Sequence, residues 1–550
     1  MFRGTPRCHF AMIGTVFVTF IVPASASAAD ILPPHHAVEA VIDHYVEARL
    51  RAEGVQPAPQ ADDATLIRRL TLDLVGRIPS LPEVEDYVGS SDPAKRVKLV
   101  DRLLASPGFI RYQAQQFDVM LNNTVAGAER QQGSVRDYLQ TALQEGKSWE
   151  QIFREILLPD EQNPKTKSAA NFLKSRLRDL DRLTNDVSVV FFGVNVSCAQ
   201  CHDHPLVEDW TQDHFYGMKS FFERTYDASG FLAERGAGLI KFKPNRGPER
   251  KARLMFLTGA TVESDTVREL TQEEQKRLKE ESEKAKSEKK APAAPSFSAR
   301  AKLVELALQP HELDFFARSI VNRIWHRFLG YGLVMPLDQM HSENPASHPE
   351  LLAWLARDMR QHGYDIRRLI RGIVLSQTYS RSSVYPSETH PPPVYFAVAR
   401  LKPLTPMQLA SSLKLANLDP ATVAKLTTEQ RDQKLEEFAN SSRGLASLFD
   451  EPSDDYQIGV AEALMFANAD RLTKEILSDQ AGTLLARLKQ IADAKEAATL
   501  LVRNAYGRLP SEIELNALCD YLNRRNDRLS EAYRQVLWAL LTAAEFRFVY

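Results

Sequence analysis

Cys198-Ala199-Gln200-Cys201-His202-Asp203-His204-Pro205 gathers two of the four cysteines of the chain into one short stretch. The spacing Cys-x-x-Cys-His is that of a c-type haem attachment site. Two thiols three positions apart can form thioethers with the two vinyl groups of one haem, and the next side chain, His202, can offer its imidazole to the iron. The sixth position then falls to a His or Met from elsewhere or stays open, because His204 is too near in sequence to swing over the opposite face. An open site would suit oxidation chemistry or small-molecule sensing, and a filled one electron transfer.

Rival chemistries use the same residues. The cysteines of an exported Cys-x-x-Cys can close as a disulfide, or stay reduced and buried. Cys198, Cys201, His202 and His204 could hold zinc, although the partner motif usual for structural zinc is missing. A metal-assisted hydrolase would draw on His202, Asp203 and His204, with Asp179, Asp181 or Asp186 upstream. Hard carboxylates beside soft thiolates make an uneven ligand set. The chain has no Gly-x-Ser-x-Gly elbow, His-Glu-x-x-His helix, phosphate-cradling loop or dinucleotide fingerprint, which lowers hydrolase and dehydrogenase readings. A third class is a non-enzymatic interaction scaffold with the cysteines joined.

Composition sets the outer bounds. Of 550 residues, 44% are hydrophobic and 25% charged, enough for a sizeable core in a multi-lobed globular protein. A net charge of -2 gives no reason to expect nucleic acid as a partner. Arg3 and Arg7, the apolar run from Phe10 to Val22 and the small residues to Ala29 read as a signal peptide over 1–28. That implies a periplasmic or secreted protein with no membrane span after cleavage. Three cysteines would then remain, and Cys519, in a leucine-rich stretch, reads as a small buried thiol.

The elements that must position the motif are mostly helical. Helical periodicity covers Val38 to Leu50, Val84 to Val88 (with a Ser80/Glu83 capping box) and Leu99 to Ala105, which stops near Ser106-Pro107. Gln113 to Leu177 continues helical with a polar break over 159–167, and the apolar run Asp186 to Phe192 leads straight into the cysteines. Trp210, Phe215, Tyr216, Phe221 and Phe222 follow, suited equally to wall a haem or to fill a core. Leu239 to Lys243 and Arg253 to Leu257 read as a β-hairpin about Asn245-Arg246-Gly247-Pro248. The Glu- and Lys-rich run from Glu273 to Lys290 is a solvated helix or disordered linker. Further helices are expected over Phe315 to Leu329, after Ser347 as N-cap with Glu350, and from Thr405-Pro406.

The frame Gly-Arg-x-Pro-Ser-x-x-Glu occurs twice, at Gly76 to Glu83 and Gly507 to Glu514. Leu103-Leu104 with Phe109 likewise has a counterpart in Leu540-Leu541 with Phe546. One helix–turn–helix unit is therefore expected at both ends. The fold class is mainly α: a multi-helical, two-lobed protein with a small β-hairpin before a charged linker. The expected organisation is a helical domain over 36–225, a short β segment over 226–265, a charged flexible linker over 266–297 and a second helical domain over 298–550.

Several of these stretches resemble the paired secreted domains of unknown function found in large paralogous sets in planctomycetes and their relatives. Arg68 to Gly76, Leu99 to Ser106 and Cys198 to His204 resemble the first domain. Phe316 to Trp325, Ser347 to Leu352, Tyr364 to Ile370 and the Gly507 to Phe546 segment resemble the second. The resemblance implies export and makes the cysteine motif a family feature, but it supplies no substrate. Many members carry a cytochrome c domain in front, so this chain, without one, is expected to need a separate redox partner protein. Where many members have a histidine two positions after the tryptophan of Asn-Arg-x-Trp, this sequence has Arg327, with His326 beside it. His348, at a helix start in a matching motif, is the first choice as sixth iron ligand, followed by His214, His326, Met335, Met340 and His341. The functional expectation is an exported haem c protein with a redox or electron-transfer role. Zinc, or no cofactor, is the alternative.

Overall fold

The computed structural model describes residues 31–122, 134–244, 247–449, 452 and 474–550. The signal peptide expected over 1–28 and part of the turn at Asn245-Arg246 lie outside them. The longer helices of the first half are α1 Val38–Glu53, α2 Asp63–Val75, α3 Leu81–Val88, α4 Lys95–Ala105, α5 Pro107–Asn122, α6 Arg136–Gln144, α7 Trp149–Leu157, α8 Leu180–Phe192 and α9 Gln212–Ser220. Those of the second are α10 Gln272–Glu288, α11 Ala299–Leu308, α12 Phe315–Leu329, α13 Pro349–Gln361, α14 Ile366–Leu375, α15 Pro406–Ala416, α16 Thr428–Ser441, α17 Ala494–Tyr506, α18 Glu512–Arg524 and α19 Leu529–Thr542. The protein is mainly α. Among the described residues no helix is long and apolar enough to cross a membrane.

Among the described residues, strands occur only as two-stranded pairs. β1 Thr225–Ala228 pairs with β2 Phe231–Glu234, β3 Lys241–Phe242 with β4 Arg250–Lys251, and β5 Leu254–Met255 with β6 Thr261–Val262. β7 Lys402–Pro403 pairs with β8 Phe548–Val549. The expected hairpin is thus split. Lys241–Phe242 takes residues 250–251 as its partner, and the 253–257 run turns back on itself because Gly259, at φ 80°, closes a tight turn of its own. The β1–β2 hairpin was not expected. Its turn is Ser229-Gly230, both at positive φ, the geometry that matches the twist of two paired strands.

Two other local expectations are decided. Of the solvated helix and the disordered linker open to the charged run, residues 272–288 take the helix. Thr271 and Glu274 make a capping box, and ion pairs such as Arg277–Glu273 run along the exposed face. The cap of α13 is His348, not Ser347, because Pro349 occupies the first helical position and so fixes its predecessor as the cap.

Two cores organise the helices. The first draws on α1 to α9 and on α11 to α14 alike. At its centre Trp149 and Phe153 meet Phe316 of α12, with Phe153 and Phe316 ring centroids 4.7 Å apart, and both also meet Phe191. Burial of each such ring contributes about 1.5–3 kcal/mol. The second core comprises the helices from α15 onward, together with Leu72 and Ile78. The charged segment therefore does not separate the cores; they divide near residue 400.

The repeated sequence frame folds into the same turn twice. Gly76 and Gly507 end α2 and α17 at φ 75°, and Ser80 and Ser511 cap α3 and α18 with Glu83 and Glu514. Further on, Ser106 and Ala543 break the chain at ψ 152° and 151° before Phe109 and Phe546 enter their cores.

Candidate functional site

α8 delivers the cysteines. Its buried face (Val187, Val190, Phe191, Phe192) locks it into the first core, and Gly193 ends it at φ 68°. A side chain on Gly193 would come within 3.0 Å of the Met340 sulfur. Beyond the glycine the chain is stitched to the loop after α12. Met340 N donates to Gly193 O at 3.0 Å, Asn195 N to Asp338 O at 2.8 Å, and Asn195 Nδ2 to Asp338 Oδ2 at 3.1 Å.

The motif then forms a 3-10 turn over Ser197–Gln200. Gln200 is held on both sides: its amide donates to Asp181 Oδ2 at 2.8 Å, and its carbonyl accepts from Tyr216 OH at 3.1 Å. Asp203 Oδ1 accepts from Gln212 N at 2.8 Å, pinning the loop to the start of α9. Asp209 accepts from both the N–H and the hydroxyl of Ser342 at 2.8 Å. Between these anchors Cys198 and Cys201 are exposed, free thiols. His202 is exposed too. Its Nδ1 lies 2.8 Å from Asp203 O, which can only accept, so Nδ1 is the donor there and in the neutral ring the lone pair sits on Nε2.

The carboxylates named from sequence have other partners. Asp179 caps α8, Asp181 takes Gln200 and Lys219, and Asp186 is paired with buried Arg176 at 2.7 Å. His204 Nδ1 accepts from Leu206 N. Among the described residues no group of three or more His, Cys, Asp or Glu is arranged to hold a metal ion, so His202, Asp203 and His204 do not converge as a ligand set.

The sixth-ligand candidates scatter. Met340 is buried against Gly193 at the foot of the turn. His341 lies towards His204 and Asp209; burial and His204 lower its pKa while Asp209 raises it, and its Nδ1 is sealed without a partner. His214 closes the capping box of α9 through Thr211, and burial lowers its pKa against the pull of Asp213, Asp209 and Asp203. His326 and Met335 line a cavity between α2, α5 and α12. His348 is 3% exposed, with Nδ1 against the Ser347 hydroxyl and its ring 5.4 Å from that of Phe396. Burial and the nearby Arg49 push its pKa down to about 4. Trp210, Phe215, Phe221 and Phe222 are buried in the first core, and Tyr216 stacks on Phe242, so this aromatic group packs the interior behind the turn.

Residues 41–227 match the family PSCyt2, described as a protein of unknown function (DUF1549), and residues 299–522 match PSD1, described as a protein of unknown function (DUF1553). The chain belongs to this family of paired PSCyt2 and PSD1 domains. No curated protein and no solved structure matches it. The cysteine turn lies wholly within the PSCyt2 domain, while Asp338 and Ser342, which brace it, come from the PSD1 domain. Those two had no signal in the sequence: Asn195 and Asp338 are 143 residues apart, and nothing local marks either as a partner. Tyr216 was visible as an aromatic but not as the donor that holds Gln200.

Proposed function

We propose that this PSCyt2–PSD1 protein carries one haem c, joined through Cys198 and Cys201 with His202 as proximal ligand, and that it serves a redox or electron-transfer role outside the cytoplasm. The observation that carries the reading is the cysteine turn itself. Both thiols are exposed and unpaired, and the neighbouring imidazole is already held in the tautomer that leaves Nε2 for a metal. The donor set fits the group. Bound there, haem would supply a one-electron redox centre tuned by its axial ligand and surroundings.

The chain's own residues have defined tasks in this reading. The Asp203 carbonyl orients His202, Asp181 and Tyr216 fix Gln200 between the cysteines, and Asn195–Asp338 sets the turn against the PSD1 domain. Leu206, 82% exposed just after the motif, offers apolar surface beside it. His348 has its neighbours elsewhere, at Phe396 and Arg49, and the reading assigns it no bond to the iron. A separate protein would supply or take the electrons.

The test is export of the chain in a bacterial host with and without a cytochrome c maturation system. The expected product is coloured only with that system, keeps its haem on a denaturing gel, and loses it in Cys198→Ala/Cys201→Ala. A colourless protein from the maturing host would end the proposal.

A further inference from the structure

A cavity of about 430 Å³ opens where the two domains meet, far in sequence from the cysteines. Its wall combines Asp73 and Tyr112 from the PSCyt2 domain with Arg327, Tyr331, Arg400 and Lys402 from the PSD1 domain. This size accommodates a small organic molecule.

The charges in the wall differ in how far they are already satisfied. Lys402 Nζ donates to both oxygens of Asp73, at 2.8 and 2.9 Å, and to the carbonyls of Arg327 and Phe328, at 3.2 and 2.9 Å. Asp73 also accepts from Tyr379 OH at 2.9 Å. This pair is closed on itself. Arg327 is not. Its Nη2 donates to the neutral amide of Gln113, and its guanidinium stands 5.1 Å from the rings of both Phe117 and Phe328. No carboxylate pairs with it among the described residues. Its Nε and Nη1 have no protein acceptor there, and neither is among the sealed-off polar atoms, so both face accessible space. Burial lowers its pKa to about 10, against the pull of Tyr112 and Asp73, which still leaves it charged at neutral pH. At the rim Arg400 is exposed, lies over the Tyr331 ring at 5.8 Å and likewise has no carboxylate partner among the described residues.

A guanidinium grips an oxyanion in a fork through Nη1 and Nη2 or through Nε and Nη2; Nη2 of Arg327 gives one hydrogen to Gln113 and keeps a second, so a fork from Nη1 and Nη2 stays open to an oxyanion. Two such groups, one in the wall and one at the rim, beside tyrosine rings and a self-neutralised Asp–Lys pair, leave the cavity short of negative charge. We infer that this interdomain cavity binds a small oxyanionic solute, a carboxylate or a phosphate, with Arg327 and Arg400 as its recognition residues. The inference stands apart from the haem reading and needs no cofactor.

Calorimetric titration and thermal melting of the chain from Ala29, with sodium phosphate and with sodium succinate as probes, test it. Sodium chloride at matched ionic strength and 1,4-butanediol serve as controls. The expected result is saturable binding of at least one probe, a raised melting temperature and no effect of either control. Phosphate alone would indicate a phosphate-bearing ligand, and succinate alone a carboxylate. Arg400→Gln, at the exposed rim, should weaken binding about tenfold or more with an unchanged circular dichroism spectrum. Arg327→Lys, which keeps the charge and loses the fork, should weaken it as well. Absence of saturable binding of both probes to the wild type up to about 20 mM, or binding that Arg400→Gln leaves unchanged, overturns the inference.

Discussion

Arg77 grips Glu83 through two parallel hydrogen bonds, Nη1 to Oε2 at 2.8 Å and Nη2 to Oε1 at 3.0 Å, and Arg508 grips Glu514 atom for atom in the same way at 2.9 and 2.8 Å. The two forks differ in setting. The first is almost fully buried, whereas the second leaves about a third of each side chain in water. One motif thus compares a buried with an exposed ion pair inside a single molecule.

Glu83→Ala strands the Arg77 guanidinium in the interior and should lower stability by about 3–5 kcal/mol. Glu514→Ala, screened by solvent, should cost about 1 kcal/mol or less. Urea denaturation followed by tryptophan fluorescence measures both. Equal losses would show that burial does not govern the forks.

The same carboxylates set an acid limit. Arg77 holds the Glu83 carboxyl well below the usual carboxylate range, outweighing the opposing effect of burial. A lowered folded pKa stabilises above the unfolded value of about 4.3 and is lost as pH falls towards the folded one. Stability measured from pH 6 down to pH 3 should therefore fall more steeply in the wild type than in Glu83→Gln.

His348 acts in a higher window. Its folded pKa of about 4 lies below the ordinary 6.5, so the unfolded chain takes up the proton first. The stabilisation is complete above pH 6.5 and is lost as pH falls to 4, on the order of 3 kcal/mol in all. His348→Phe should remove that part of the slope between pH 7.5 and pH 4.5. Parallel slopes in the two proteins would contradict the assignment.

Lys402→Met should destabilise by about 3–5 kcal/mol, because Asp73 would keep only the Tyr379 hydroxyl. Lys402→Met/Asp73→Asn should recover part of that loss. Thermal melting of the two single variants and the double variant gives the coupling directly.

Thiol titration of the reduced, haem-free chain from Ala29 should find two fast cysteines, Cys198 and Cys201, and one slow one, the half-buried Cys519. Cys198→Ala/Cys201→Ala should leave only the slow phase. Three equal rates would contradict the burial pattern.

Much of the helical frame could be read from local signals. Phe315–Leu329 and the caps at Ser80 and Thr405 follow from apolar spacing and the chemistry of helix starts, which act within four residues. The double turn was legible because both copies need the same glycine, arginine and glutamate. The β1–β2 hairpin was missed because its strands are short and its signal is the dipeptide Ser229-Gly230 alone. The division of the cores near residue 400 escaped for another reason. The charged stretch does lie between the two matched domains, as a helix on the surface, yet α12 beyond it supplies Phe316 to the first core. Of the candidate site, the cysteine turn was visible and its bracing by Asp338 was not. Arg327 was noticed only as the residue standing where relatives have histidine, since its loneliness depends on Gln113, Phe117 and Phe328 converging from two domains.

The amine of Lys402 also limits how the molecule can breathe. It bridges Asp73 to the final carbonyls of α12, while the strand that carries it is zipped to residues 548–549. A clamshell motion about residue 400 would pull an ammonium from its carboxylate and two carbonyls at once. Opening of the domains at this seam is thereby opposed, while the exposed Arg400 side chain at the rim of the adjoining cavity keeps the nanosecond freedom of a surface side chain.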